Sequence, residues 1–368
     1  MKKYTLENYE EQLNHQVIHM DQAVCYDPEY LAARKMHDYP SRKLQLARAV
    51  YKGELAVNDF IGDLVYSCIL SRQGERWQNF RENPEDCTDV FILCRKMLME
   101  KGYKPEAVSA FTKAIREGGG HLRKAPAWDL PTDPAGDMAI FLDDISADAF
   151  AAGAQTLAEW LRKREIAFVN EARPYFAGFE YFAYGLVEEG TGHLKGLVEE
   201  LEKTGAKKVL TVSAQAKYLL TTFAAKLGIE PAFEVVYLPE LMERVVPEEY
   251  SYVYGGSFNL RYLCNADLLN GLIPNSEEQI DRRSPEFIPL LFSDHRANRL
   301  TIWQKPVGAE YEIFGMDPKI LEAIEEDGLN EIRKCSAPQI IVFEPAALKV
   351  LQEKLTDKKV ISYLDLLK

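Results

Sequence analysis

The sequence predicts an α+β multidomain protein: an all-helical N-terminal segment, then two duplicated α/β repeats with mostly parallel sheets. Three observations predict it. Apolar residues up to about residue 120 recur at helical spacing, with few β-branched runs. From Met138 onward, short apolar runs alternate with amphipathic stretches, the pattern of strands and crossover helices. Finally, two stretches recur. KKVLTVS at 207–213 matches PQIIVFE at 338–344, an offset of 131 residues, and VVYLPEL at 235–241 matches VISYLDL at 360–366, an offset of 125. An internal duplication of an α/β unit is the simplest account.

The elements follow in order. Helix 41–50 starts after Pro40 and stops at Gly53. Residues 58–70 and 89–101 have the same apolar periodicity. Gly118, Gly119 and Gly120 break the helical pattern, closing a helical domain over residues 1–120. Residues 121–137 carry Pro126, Pro131, Pro134 and Gly136, the composition of an exposed linker. The first repeat, 138–248, predicts strand 138–142, helix 147–163, strand 166–169 and helix 191–204 ending at Gly205. Strand 208–212, helix 216–227 and strand 234–238 complete it. The second repeat occupies 249–368.

Composition excludes several classes. The 368 residues are 47% hydrophobic and 27% charged, ordinary globular values that exclude a disordered chain. A net charge of −13 argues against nucleic acid and against an anionic membrane surface as partners. No apolar run is long enough to predict a transmembrane segment, and the opening residues lack a signal-peptide core. Six scattered cysteines without a CxxC pair fit free thiols in a reducing, cytoplasmic setting. Nucleotide-binding glycine loops and the GxSxG nucleophile elbow are missing from the sequence.

Certain residues carry a likeness to a known family. SRKLQLARA at 41–49 and GEL at 53–55 resemble the segment between the two cluster motifs of two-cluster helical ferredoxin domains, and LVYSC at 64–68 resembles the run into the second motif. Phe176-Ala177-Gly178 and Pro306-Val307-Gly308 stand where that family's downstream repeats carry Cys-Cys-Gly. The chain therefore resembles the CCG-domain iron–sulfur proteins: heterodisulfide reductase subunits and the iron–sulfur subunits of glycolate oxidase and lactate utilisation. The resemblance spans nearly the whole chain and implies a helical-ferredoxin-like domain followed by two CCG-like repeats.

The ligand positions depart from the family pattern. The first CxxCxxCxxxC falls on His15, Ile18, Asp21 and Cys25, the second on Cys68, Ser71, Gly74 and Gln78. In the first repeat the cluster positions are Asp144, Phe176, Ala177, Gly178, Ser213 and Ala216. In the second they are Ser257, Pro306, Val307, Gly308, Glu344 and Ala347. A cubane cluster needs about four ligands, usually thiolates, so none is expected, and no other cofactor is implied. The aromatic segment 175–184 is expected to plug the first vacated pocket, since large rings refill a void.

The resemblance implies a non-catalytic structural or assembly subunit working with protein partners in a redox complex. Two other readings remain open. Lys217 and Arg261, beside the former ligand positions, could bind a small anion or thiol in a remodelled pocket; otherwise these positions are caps and surface. His15, Asp21 and Cys25 could hold a metal or an atypical cluster, since His15 and His19 share one helix face; otherwise the histidines are simply solvated.

Overall fold

The computed structural model describes residues 3–19, 27–73, 87–274, 304–307 and 317–367. It is a mixed α/β protein with two all-parallel sheets. The chain divides into two compact units, drawn differently from the segments the sequence suggests. A helical unit comprises Met1–Ala114, Gly178–Gly192 and Lys305–Gly328. An α/β unit comprises Ile115–Ala177, His193–Gln304 and Leu329–Lys368.

The helical unit is organised around helix Cys87–Glu100, whose residues Val90, Phe91, Ile92, Leu93 and Cys94 are all buried. Burial of these consecutive positions, which point to all sides of the helix, places it at the centre of the bundle. Helices Glu10–His19, Pro40–Tyr51 and Asp59–Tyr66 pack against it, and their Leu13, Leu44, Ala47 and Val65 are buried. Local chemistry sets the helix starts. Asn58 accepts a hydrogen bond from Ile61 N at 3.0 Å, and Asp27 accepts one from Tyr30 N at 2.6 Å. Pro28 and Pro40 open their helices, where a missing N–H costs nothing.

The α/β unit holds both sheets. Strands β1 (Met138–Asp143), β2 (Pro174–Tyr175), β3 (Lys208–Thr211) and β4 (Glu234–Tyr237) run in the order β2-β1-β3-β4. Strands β5 (Ser251–Tyr254), β6 (Gln339–Val342) and β7 (Lys359–Ser362) run in the order β5-β6-β7. Ile140, Phe141, Val209, Leu210, Ile340 and Ile341 are fully buried, as parallel strands covered on both faces require. The registers of the two sheets correspond. Met138 pairs with Lys208 and Lys208 with Glu234; in the second sheet Ser251 pairs with Gln339 and Gln339 with Lys359. The step from Lys208 to Gln339 is 131 residues and that from Glu234 to Lys359 is 125, the offsets of the recurring sequence.

Three expectations change. The strand expected over 166–169 is reduced to single bridges from Phe168 to Thr132 and Met138, and the short strand lies later, at Pro174–Tyr175. Asn170 explains this. Its side-chain amide accepts from Ile140 N at 2.8 Å and donates to Ile140 O at 3.0 Å, standing in for a neighbouring strand. Helix 58–70 ends at Tyr66, because Arg95 takes carbonyls at and beyond that point. Helix 147–163 is split at Phe150, whose ring packs edge-on against Tyr363. The linker 121–137 is largely exposed but anchored at two points: Trp128 and Leu130 are buried, and Trp128 Nε1 donates to Ala147 O at 3.2 Å. Among the described residues, no helix is long and apolar enough to cross a membrane.

Candidate functional site

Parallel α/β sheets place functional groups where strands end and helices begin. Asp143 ends β1, caps helix Asp144–Ala149 and is buried. Its Oδ1 accepts from Ser146 N at 2.9 Å, and its Oδ2 accepts from Ser146 Oγ at 2.9 Å and Ser213 Oγ at 2.7 Å. Ser213 follows β3, and its Oγ also accepts from Ala216 N at 3.1 Å, capping the next helix. Two strand ends of the first sheet are thus tied together by side chains.

The second sheet has its own lattice. Gln304 Oε1 accepts from Gly255 N and Gly256 N, and its Nε2 donates to Tyr252 Oη at 3.1 Å and Val253 O at 2.9 Å. Arg261 is buried; it donates to Gln304 O at 2.9 Å and Ser257 Oγ at 2.5 Å. Glu344, after β6, lies against Gly256. A Cβ on Gly256 would fall 2.5 Å from Glu344 Cβ, and the φ of +77° there favours glycine. Tyr363, after β7, donates to Val212 O at 2.6 Å and stacks on Phe343 at 4.7 Å. That bond joins the carboxyl end of one sheet to the other.

The electrostatics match this burial. Burial pushes the Asp143 carboxyl above the usual carboxylate range, and the Ser213 and Ser146 bonds pull it part of the way back. Burial also pushes the Tyr237 hydroxyl up, with the carboxyls of Glu344, Glu240 and Asp143 adding to it. Tyr363 moves the same way for the same reason. Both phenols therefore stay protonated.

The anticipated site residues are placed as follows. Ser213 and Ser257 each join one of the two networks, and Asp144 lies buried beside Asp143. Ala216 and Ala347 are buried helix residues. Phe176 and Ala177 are buried; Phe176 O bonds His193 Nε2 at 2.8 Å, and burial lowers the pKa of that histidine. Gly178 opens helix Phe179–Ala183 in the helical unit. There Tyr181 and Tyr184 pack on Phe111, at 5.2 and 4.8 Å, so these rings fill the helical core rather than a pocket at the strand ends. Pro306 and Val307 are buried in that unit too. Gly308, Asp21, Cys25, Gly74 and Gln78 lie outside the described residues.

The expected anion site is filled from within. Lys217 donates to Val235 O at 2.5 Å and pairs with Glu240 at 3.2 Å. Arg261 is committed to Ser257 and Gln304. Asp143, Tyr237, Gln304 and Tyr363 escape sequence reasoning. For Gln304 the available signal is Gly255-Gly256, since paired glycines after a strand mark a close backbone approach.

The positions that the family resemblance would assign to cluster ligands do not fit a cluster. The described ligand positions of both repeats carry no thiol. In the helical unit, burial and the nearby Glu29 carboxyl push the Cys68 thiol well up, so it is no ready thiolate. Cys68 O instead accepts from Arg95, while Glu29 accepts from Ile69 N at 2.6 Å and Lys43 donates to Ser67 O at 3.3 Å. His15 lies on helix Glu10–His19. Among the described residues, no three His, Cys, Asp or Glu side chains are grouped to hold a metal ion. No protein-family model matches the sequence, and a search of curated proteins returned no match.

Proposed function

We propose that the chain is a cluster-free relative of the CCG-domain iron–sulfur subunits, serving as a non-catalytic structural or assembly subunit of an electron-transfer complex. The observation that carries this reading is the closure of the strand ends. Where the family resemblance implies a cofactor, Asp143, Ser213, Ser257, Arg261 and Tyr363 bond to one another or to neighbouring backbone. A buried polar network of this kind fixes a structure rather than presenting a reactive group. The repeated strand order and the offsets of 131 and 125 residues support a duplicated scaffold. A small-molecule site at the same ends would require Asp143 and Arg261 to be released from their partners, at the full cost of orphaning buried charges.

The test is recovery of the complex. Affinity purification of the full chain from its own cells should bring down flavin- or iron–sulfur-bearing oxidoreductase subunits in fixed stoichiometry. A monodisperse monomer that brings none of them overturns the proposal.

A further inference from the structure

Helix Glu106–Glu117 is held differently from its neighbours. Phe111 is its one buried residue, whereas helix Cys87–Glu100 is buried along most of its length. Ala107, Val108 and Ile115 lie on the same face as Phe111 and are half-buried. Ser109, Ala110, Thr112, Lys113, Ala114 and Arg116 are exposed. Pro105, Glu106 and Ala107 border an open cleft of about 430 Å³, so the first turn lacks close packing.

The chain beyond the helix can pivot. Gly119 and Gly120 have φ of +64° and +96°, and a Cβ on either would meet nothing within 4 Å. Glycine serves the turn there, not a close approach. The next buried side chain is that of Trp128. A helix of 12 residues is marginal by itself, so this one persists because Phe111 is docked.

The surface under Phe111 is, by contrast, fixed. The Phe111 ring lies 4.8 Å from that of Tyr184 and 5.2 Å from that of Tyr181. Ala183 O accepts from Arg95, and Tyr184 O accepts from Tyr66 Oη at 2.8 Å. Gly185 comes so close to helix Cys87–Glu100 that a Cβ would fall 2.7 Å from Lys96 N. A loosely held helix thus covers a firmly held aromatic surface.

We propose that helix Glu106–Glu117 is a detachable cover, and that the Tyr181–Tyr184 surface it leaves receives an amphipathic helix of a partner protein with an aromatic side chain in the place of Phe111. The helix seated there shows which chemistry fits: an aromatic anchor with small or apolar residues four and three positions before it and four after. One docked phenylalanine holds the closed state, which puts the open state at on the order of 0.1–10% of molecules. The incoming partner rests on the assembly reading above; the detachment does not.

Hydrogen exchange of the full chain, read by mass spectrometry in rising sub-denaturing urea, tests the detachment. Amides of 106–117 should be protected only about 10–1000-fold, with little urea dependence, while helix Cys87–Glu100 exchanges through global unfolding. Phe111→Ala should strip protection from 106–117 and leave it on 87–100. Exchange of both segments at one rate and with one urea dependence in the wild type overturns the proposal. A fluorescent peptide of residues 106–117, added in trans, tests the surface. It should bind the Phe111→Ala chain about tenfold or more tighter than the wild type, whose own helix competes. The same peptide carrying Phe111→Ala should bind neither. Ile115→Ala, at a half-buried position, replaces Phe111→Ala in both tests if that variant fails to fold. No saturable binding of the peptide to the variant overturns the docking surface, even where co-purified redox subunits uphold the assembly reading.

Discussion

Replacing Ser213 with alanine probes the closed strand ends most sharply. Its hydroxyl does two things: it donates to Asp143 Oδ2 at 2.7 Å and accepts from Ala216 N at 3.1 Å. Loss of an N-cap costs about 1 kcal/mol. Loss of a hydrogen bond to a charged group costs about 1.5–3 kcal/mol. The two effects share one oxygen, so a total of about 2–4 kcal/mol is expected. The cost has a pH signature. Asp143 is held above its unfolded value, so its ionisation removes stability as pH rises through the folded value. The Ser213 bond pulls that value down, and the variant raises it further. The penalty of Ser213→Ala should therefore grow as pH rises through the wild-type folded value, which lies above the unfolded value of about 4. Urea unfolding of the full chain at several pH values measures this, with Asp143→Asn as the control in which the dependence disappears. A cost below about 0.5 kcal/mol at every pH, the range of an ordinary surface change, would refute the reasoning. So would a cost that shrinks as pH rises.

Three further outcomes are expected. Gly256→Ala should destabilise the α/β unit by about 2 kcal/mol or more in the same assay, because the φ is positive and Glu344 fills the space. Arg95→Met should cost about 3–5 kcal/mol, since it orphans buried carbonyls of Val65, Tyr66, Cys68 and Ala183; Arg95→Lys should not rescue it, as an ammonium cannot span that fan of acceptors. In native protein treated with a maleimide, exposed Cys264 should react at once, while buried Cys68 and Cys94 react only after unfolding. Burial pushes the Cys94 thiol up to about 12, so raising the pH to 9 should not expose it to the reagent; peptide mapping reads the order.

The strands were legible because a parallel strand covered on both faces reads as a continuous apolar run, as at Ile140-Phe141-Leu142 and Ile340-Ile341-Val342. The recurring stretches were legible for the same reason, and the sheet registers fall at their offsets. Helix ends were less so, because distant side chains decide them: Arg95 stops one helix and Tyr363 packs at the break in another. Asn170 replaces a strand by mimicking backbone, which no periodicity reveals. At the candidate site the expected residue was Asp144, whereas its neighbour Asp143 makes the bonds to Ser146 and Ser213. A one-residue shift of this sort is invisible when both positions hold the same amino acid. Gln304 and Tyr363 were beyond reach because their partners lie far away in the sequence.

The central claim is that the strand ends are closed by the protein itself. Iron and acid-labile sulfide analysis with a UV–visible spectrum, on anaerobically purified full-length protein, tests it most directly. The account predicts near-zero iron, no sulfur-to-iron absorbance and a melting temperature unmoved by a chelator. Several irons per chain, with absorbance and stability both lost on chelation, would contradict it.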